Sequence, residues 1–121
     1  MNNQTVDIFN PKTIRATMGS IFRVPFVYVP DLAPVLEQMH AKGIHTYAAH
    51  LKGQEYYDSF SFREPTAFLI GNEGNGLSKE ISDQAGQYLK IPMEGRVESL
   101  NASIAAALLM YEAHRQRSAR L

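Results

Sequence analysis

Two stretches of the chain combine glycine with short polar side chains in a way that could build a ligand site. The first is the run GNEGNG at residues 71–76, where three glycines permit a sharp turn and a close approach of a ligand to the backbone. The second leads from Ile91 to Asn101 and carries Ser99. The glycine run lacks both the Gly-Lys-Ser/Thr ending of a phosphate loop and the GxGxxG order of a dinucleotide loop. The two stretches therefore indicate a ligand site formed by loops, but not a phosphate-binding loop.

Both stretches follow predicted β-strands. Thr66–Ile70 precedes the glycine run, and an apolar strand end at Leu89–Ile91 stops at Pro92, because proline cannot donate to a ladder. A further strand is predicted at Ile44–Ala49. Sheets of α/β proteins bind their ligands outside the carboxyl ends of the strands, so the two loops are expected to form one site.

Helices alternate with these strands. We predict a helix at Pro11–Phe22 and a β-rich run at Phe26–Val29. After the candidate N-cap Asp31 we predict a helix through Leu32, Val35, Leu36 and Met39 that Gly43 ends, and a further helix from about Leu77. Such alternation predicts an α/β fold with a mainly parallel sheet and helices on both faces.

The last predicted helix runs from Leu100 to Arg115, with Ser99 or Asn101 as its N-cap. Spacings of four, four and three residues predict one apolar face, made of Leu100, Ile104, Leu108 and Tyr111. Four alanines at positions 102 and 105–107 make this helix thin, which suits close packing against another backbone.

Composition limits the classes of function. With 121 residues, 45% of them hydrophobic, the chain is expected to form one compact domain. A net charge of zero argues mildly against RNA binding unless the charge is local. Local basic clusters do occur, and their members are Lys12, Arg15 and Arg23 near the start and Arg115, Arg117 and Arg120 near the end.

Several kinds of site and location are not expected. There is no cysteine, and the four histidines lack metal-ligand spacing, so no metal site is predicted. No apolar run has the roughly 20 residues of a membrane span, and the first residues do not resemble a signal peptide. A cytoplasmic protein without membrane contact is the expectation.

An aromatic connection links two of the predicted strands. Its residues Tyr56, Tyr57, Phe60 and Phe62 could stack on unpaired bases or cover the edge of the core. We favour the core role, which is the commoner one.

Two long motifs resemble a known family. The run IPMEGRVESLNASIAAALLMYEA, which begins at Ile91, resembles the last signature of the SpoU (TrmH) ribose methyltransferases of the SPOUT class. AFLIGNEGNGLSKEI at residues 67–81 is similar to the middle motif, and VDIFNPKTIRATMGSIFRVPF resembles the segment leading to the central strands. The resemblance covers most of the chain from Val6 to Arg115.

The resemblance implies a fold and a reaction. It implies a SPOUT-type trefoil knot in the C-terminal part of the sheet, whose loops bind S-adenosylmethionine. The implied activity transfers a methyl group to a ribose 2′-hydroxyl of ribosomal or transfer RNA. The implied catalytic residues are Glu73, Ser99 and Asn101. The implied cofactor-binding residues are Leu69, Gly71, Asn72, Glu73, Gly74, Ile91, Met93, Ser99, Leu100 and Asn101.

The resemblance also implies partners. Structured RNA would contact Lys12, Arg15 and Ser20. A homodimer would form through the C-terminal helix and the knot region, with a patch that includes Leu108, Leu109, Tyr111 or Glu112.

One part of the family pattern does not match. The family's first motif, with its reactive arginine, should precede a segment like Val6–Pro25, where only MNNQT stands. We therefore expect an N-terminally truncated methyltransferase domain over residues 1–121. The alternative is a non-catalytic RNA- or cofactor-binding module that has lost this motif.

Overall fold

The computed structural model describes residues 1–2, 5–72, 74–96 and 99–118. The chain divides into two compact units, Met1–Leu32 and Ala33–Leu121. No helix within the described ranges is both long enough and apolar enough to span a bilayer. A single domain over the whole chain stays a prediction.

The first unit begins with helix α1, Pro11–Ala16, which the side chain of Asn10 caps. The predicted helix over Pro11–Phe22 was too long. Met18 and Gly19 have φ angles of 49° and 86°, and this left-handed turn ends the α-helix before a short 3-10 helix at Ser20–Phe22. Glycine takes such a conformation at little cost, so Gly19 explains where the helix stops.

The predicted β-run Phe26–Val29 forms no strand. Within its own unit this segment pairs with the chain start by two bonds. Val29 N donates to Met1 O at 2.8 Å, and the Met1 ammonium donates to Val27 O at 3.1 Å. A strand forms only where a neighbouring strand completes its hydrogen-bond ladder. The described part of this unit contains no such neighbour, and the composition of Phe26–Val29 alone carries no information about neighbours.

The second unit contains a three-stranded parallel sheet. Strand β1 is His45–Ala49, β2 is Thr66–Leu69 and β3 is Gln87–Leu89, in the order β2-β1-β3. His45 pairs with Thr66 and Ala49 with Leu89, and both pairings are parallel. The predicted α/β fold with a mainly parallel sheet is confirmed.

Helices cover both faces of this sheet. They are α2, Ala33–Ala41, α3, Lys79–Gln84, and α4, Ala102–Ser118. Tyr47 packs with Leu109 of α4 on one face. Its neighbour Thr46 points to the other face, where its Oγ1 lies 2.7 Å from His40 Nε2 of α2. The predicted helices on both faces are thus observed, while the trefoil knot stays a prediction.

Helix α4 buries a different face from the one predicted. Ala105, Leu109 and Ala113 are its buried residues, whereas Ile104 is 53% and Tyr111 75% exposed. Both stripes have helical spacing, so periodicity could not choose between them. Because Leu109 is fully buried, it cannot belong to an exposed dimer patch as predicted.

The end of α4 holds the aromatic connection in place. Gln116 accepts from Phe62 N at 2.7 Å and donates to Phe60 O at 2.9 Å, and Arg117 Nε donates to Phe62 O at 2.8 Å. Hydrogen bonds from Arg115 and then Gln116 lower the pKa of Glu112 to about 2. Arg115 and Arg117 of the predicted basic cluster therefore make hydrogen bonds within the fold. Arg120, the third member, lies outside the described residues.

Candidate functional site

A cavity of about 470 Å³ opens at the carboxyl edge of the sheet. Residues that follow β1, β2 and β3 line it, together with the first turns of α4. Its volume falls in the range of roughly 300–1,000 Å³ typical of small-molecule sites. The sheet topology therefore brings the two predicted loops to one place.

Seven of the ten predicted cofactor-binding residues line this cavity. They are Gly71, Asn72, Gly74, Ile91, Met93, Ser99 and Leu100. Leu69 pairs with Ala48 inside the sheet and is not part of the lining, and neither is Asn101. Glu73, predicted as both catalytic and cofactor-binding, lies outside the described residues. The binding and catalytic roles of all these residues stay predictions.

Asn72 shapes the glycine loop from within. Its Oδ1 accepts from Gly74 N at 3.1 Å and from Asn75 N at 2.7 Å, and its backbone oxygen accepts from Gly76 N at 2.9 Å. An asparagine that bonds backbone amides two and three residues ahead forms a stable turn. This contact assigns Asn72 a structural role in the loop.

Gly71 is required by the packing of the same loop. A β-carbon at this position would lie 2.7 Å from Gly76 Cα and closer still to the Gly76 carbonyl carbon and Leu77 N. All three are backbone atoms, so a side chain could not be accommodated by a rotamer change. Gly71 is therefore needed because the two ends of the loop approach each other closely, and not because of its φ angle, which is not positive.

Asn101 caps the helix that borders the cavity. Its Oδ1 accepts from Ser103 N at 2.9 Å and from Ile104 N at 3.3 Å, as predicted for an N-cap. The carboxamide oxygen thus satisfies two amides at the start of α4, and Asn101 holds in position the helix start that follows Ser99 and Leu100.

Sequence reasoning missed the contribution of β1 to the cavity. Ala49, His50 and Leu51 line it, as do Ile70, Leu77 and Lys90. The rule that ligands bind at the carboxyl ends of strands applies equally to β1, and it would have indicated the run AAHLKG after Tyr47.

The imidazole of His50 is held by two contacts. Its Nδ1 accepts from Lys52 N at 3.0 Å, and its ring stacks on Tyr88 with centroids 4.9 Å apart and planes 18° apart. The Tyr88 hydroxyl donates to Asp83 Oδ1 at 3.3 Å, and Asp83 pairs with Lys79 at 2.7 Å. The hydrogen bond from Lys79 lowers the pKa of Asp83, and burial raises the pKa of Tyr88.

The predicted RNA contacts belong to the first unit. Lys12 and Arg15 are exposed on α1, and Ser20 is exposed at the start of the 3-10 helix. Arg15 Nε donates to Pro11 O at 3.3 Å, within its own helix. Their role in RNA binding stays a prediction.

Metal-binding groups are not assembled in the part of the chain that the structure describes. There, no three histidine, aspartate or glutamate side chains are placed to hold one ion. The described residues lining the cavity include no carboxylate, and His50 and Lys90 are the titratable ones among them.

Comparison with known sequences gives consistent matches. Residues 1–111 match the profile of the SpoU rRNA Methylase family. YacO, a Bacillus subtilis protein assigned to the TrmH family of tRNA/rRNA methyltransferases, is 38% identical over 104 residues. These residues are 86% of this chain but 42% of YacO. A TrmH-family relative from Staphylococcus haemolyticus is 39% identical over 85% of this chain and 41% of its own. The chain thus spans less than half the length of these relatives.

Solved structures show the same similarity. The methyltransferase AviRb from Streptomyces viridochromogenes, in complex with AdoMet, superimposes with a TM-score of 0.88 and 35% identity, covering 98% of this chain and 46% of AviRb. A structure described as an RNA 2′-O ribose methyltransferase gives a TM-score of 0.81 and 33% identity, covering 93% of this chain and 43% of its own.

Proposed function

The chain belongs to the SpoU rRNA Methylase family, and from this premise we propose that it forms the cofactor-binding part of an S-adenosylmethionine-dependent RNA methyltransferase. The finer proposal is transfer of the methyl group to a ribose 2′-hydroxyl of ribosomal or transfer RNA, in the cytoplasm where these RNAs act. The observation that carries it is the cavity at the carboxyl edge of the sheet, lined by both signature loops. AviRb, which binds AdoMet, supports the cofactor, and the ribose-methylating neighbour supports the acceptor.

The residues present fit this cofactor. Ile70, Leu77, Ile91, Met93 and Leu100 offer apolar contact suited to a purine ring. Backbone groups of the glycine loop and of the segment after β3 can donate and accept hydrogen bonds at close range. When bound, S-adenosylmethionine supplies an electrophilic methyl group on a sulfonium. The chain's own task is to hold the reactants in line and to keep water away. Holding the reactants in line is expected to contribute most of the rate enhancement in such a transfer.

The three proposed catalytic residues have different capacities. Asn101 positions the start of α4, and neither its carboxamide nor the hydroxyl of Ser99 is basic at neutral pH. Glu73 carries the carboxylate that could accept the proton of the 2′-hydroxyl. We therefore assign proton acceptance to Glu73 and positioning to Ser99 and Asn101.

A non-catalytic module is the second candidate function. It is a candidate because this chain matches less than half the length of YacO, so only part of that relative's residues have counterparts here. Such a module would still bind the cofactor or RNA. Transfer of a labelled methyl group to total RNA separates the two candidates, because the module would bind S-adenosylmethionine without transferring its methyl group.

Cofactor binding is the first prediction. S-adenosylmethionine and S-adenosylhomocysteine should each bind this chain, because both loops that line the cavity are present. Titration calorimetry at millimolar ligand and a rise in melting temperature would measure it. A folded sample that gives neither heat nor a thermal shift would contradict the proposed function.

A homodimer through the exposed face of α4 is the second prediction. Ile104 and Tyr111 are 53% and 75% exposed, and they leave an apolar stripe suited to a self-complementary two-fold contact. Sedimentation at tens of micromolar should show a dimer, and Tyr111→Arg should shift it to monomer. Met18→Arg, a change at a 91% exposed residue of the first unit, is the control and should leave the dimer intact. A monomeric parent, or a dimer that Tyr111→Arg leaves intact, would show that this face is not the interface.

A further inference from the structure

His50 and Lys90 lie side by side at the edge of the cavity. His50 N donates to Leu89 O at 3.0 Å, so the residues that follow β1 and β3 are neighbours across the sheet. Both residues line the cavity, and they are the titratable residues of its described lining. The rest of that lining is apolar, glycine or uncharged polar. The titratable nitrogen groups of the described lining therefore belong to two residues that follow neighbouring strands.

The imidazole is arranged as a hydrogen-bond donor. Its Nδ1 accepts from the backbone amide of Lys52, so the neutral ring carries its proton on Nε2. Stacking on Tyr88, whose hydroxyl is bonded to Asp83, restrains the ring plane. The nearby charged groups on the packed elements are Lys52, Lys79, Asp83 and Lys90. The donor is therefore oriented by the protein alone, which lowers the entropy lost on binding.

Lys90 is fixed through its backbone. Its N donates to Glu55 O and its O accepts from Tyr57 N, each at 2.9 Å. The side chain then starts from a defined position beside β3 and carries a positive charge. An oriented N–H donor and an ammonium group in the same cavity wall are a combination that suits a carboxylate.

We infer that His50 and Lys90 form the subsite for the α-carboxylate of the cofactor's methionine portion. The inference rests on the proposed function, because it concerns the same cavity. The α-carboxylate is the single anionic group of S-adenosylmethionine, and these two side chains provide the cationic and oriented donor groups of the described lining. Charge complementarity therefore orients the methionine portion towards β1 and β3 and leaves the apolar wall to the adenosine.

The test compares two ligands that differ only by this carboxylate. They are S-adenosylhomocysteine and its decarboxylated analogue, S-adenosyl-3-thiopropylamine. His50→Phe keeps a ring to stack on Tyr88 but removes the donor, and it should weaken S-adenosylhomocysteine about tenfold, the effect of one charge-assisted hydrogen bond. The same variant should change the affinity for the analogue less than about twofold. His50→Gln, whose amide can donate from a position near Nε2, should recover most of the affinity for S-adenosylhomocysteine.

Controls make each outcome decisive. His45→Phe, at the exposed opposite end of β1, should leave both affinities unchanged. Lys90→Gln should show the same selectivity as His50→Phe, and it replaces that variant if the latter does not fold. Equal loss of both ligands, or a parent that binds both equally well, would overturn the inference and leave the cofactor site intact. A folded parent that binds neither ligand would instead overturn the proposed function.

Discussion

Replacing Gly71 with alanine should lower the affinity for S-adenosylhomocysteine by about 100-fold or more, equivalent to roughly 2.7 kcal/mol. The added β-carbon would overlap the backbone of Gly76 and Leu77, so the two sides of the glycine loop would have to separate. Gly71, Gly76 and Leu77 all line the cavity, and their displacement would change its shape. Because the atoms that the new methyl group would meet belong to the backbone, it cannot be accommodated without strain.

Gly74→Ala is the matched control. It adds the same methyl group to the same loop, but its nearest neighbour would be Asn72 Oδ1 at 3.7 Å, an ordinary contact. The melting temperature should be nearly unchanged for Gly74→Ala and lowered for Gly71→Ala, and calorimetry compares the affinities of the two variants because both residues line the cavity. If Gly71→Ala bound S-adenosylhomocysteine within threefold of the parent at an unchanged melting temperature, the loop geometry described above would be wrong.

The sheet and the place of the site were predictable because they depend on local signals. Strand-like runs ended by Pro92 and by the glycine loop gave β2 and the end of β3, and alternation with helices gave the parallel pairing. The carboxyl-edge rule then brought Gly71 and Leu100 to one cavity. These steps need only the chain direction and the period of the pattern.

The remaining features depend on contacts between distant residues. Whether Phe26–Val29 forms a strand is decided by a neighbour, and whether α4 buries Ile104 or Leu109 is decided by the surface it meets. Two stripes with the same spacing are equivalent in a sequence and different in a structure. The carboxyl-edge rule could have indicated the run that contains His50, but not its contact with the ring of Tyr88, which joins residues 38 positions apart.

The aromatic connection shows that the commoner role of a residue type can be the correct one. Phe62 is fully buried, and Tyr57 and Phe60 pack against the same core cluster. Tyr56 is half exposed. The preferred prediction that these rings cover the core is confirmed for Phe62, Tyr57 and Phe60, and the fully buried ring of Phe62 is not accessible to a base.

Phe62→Ala should lower the free energy of unfolding by about 4 kcal/mol, near the upper part of the range for such changes. The ring meets Tyr47 at a centroid distance of 5.1 Å and Phe68 at 5.0 Å, both edge to face. The backbone of Phe62 is held by Gln116 and Arg117, so the chain cannot move inward to fill the space. When the surrounding chain cannot collapse into the cavity, the free energy of unfolding falls by the full contribution of the lost contacts.

Urea unfolding followed by circular dichroism would measure this loss, with Tyr56→Ala as the control. Tyr56 is 50% exposed, so its truncation should cost less than about 1 kcal/mol. Since small domains are stable by only about 5–15 kcal/mol, Phe62→Ala should leave a visibly larger unfolded fraction at 37 °C. A loss no greater than that of Tyr56→Ala would show that Gln116 and Arg117 do not fix the connection and that the aromatic cluster repacks.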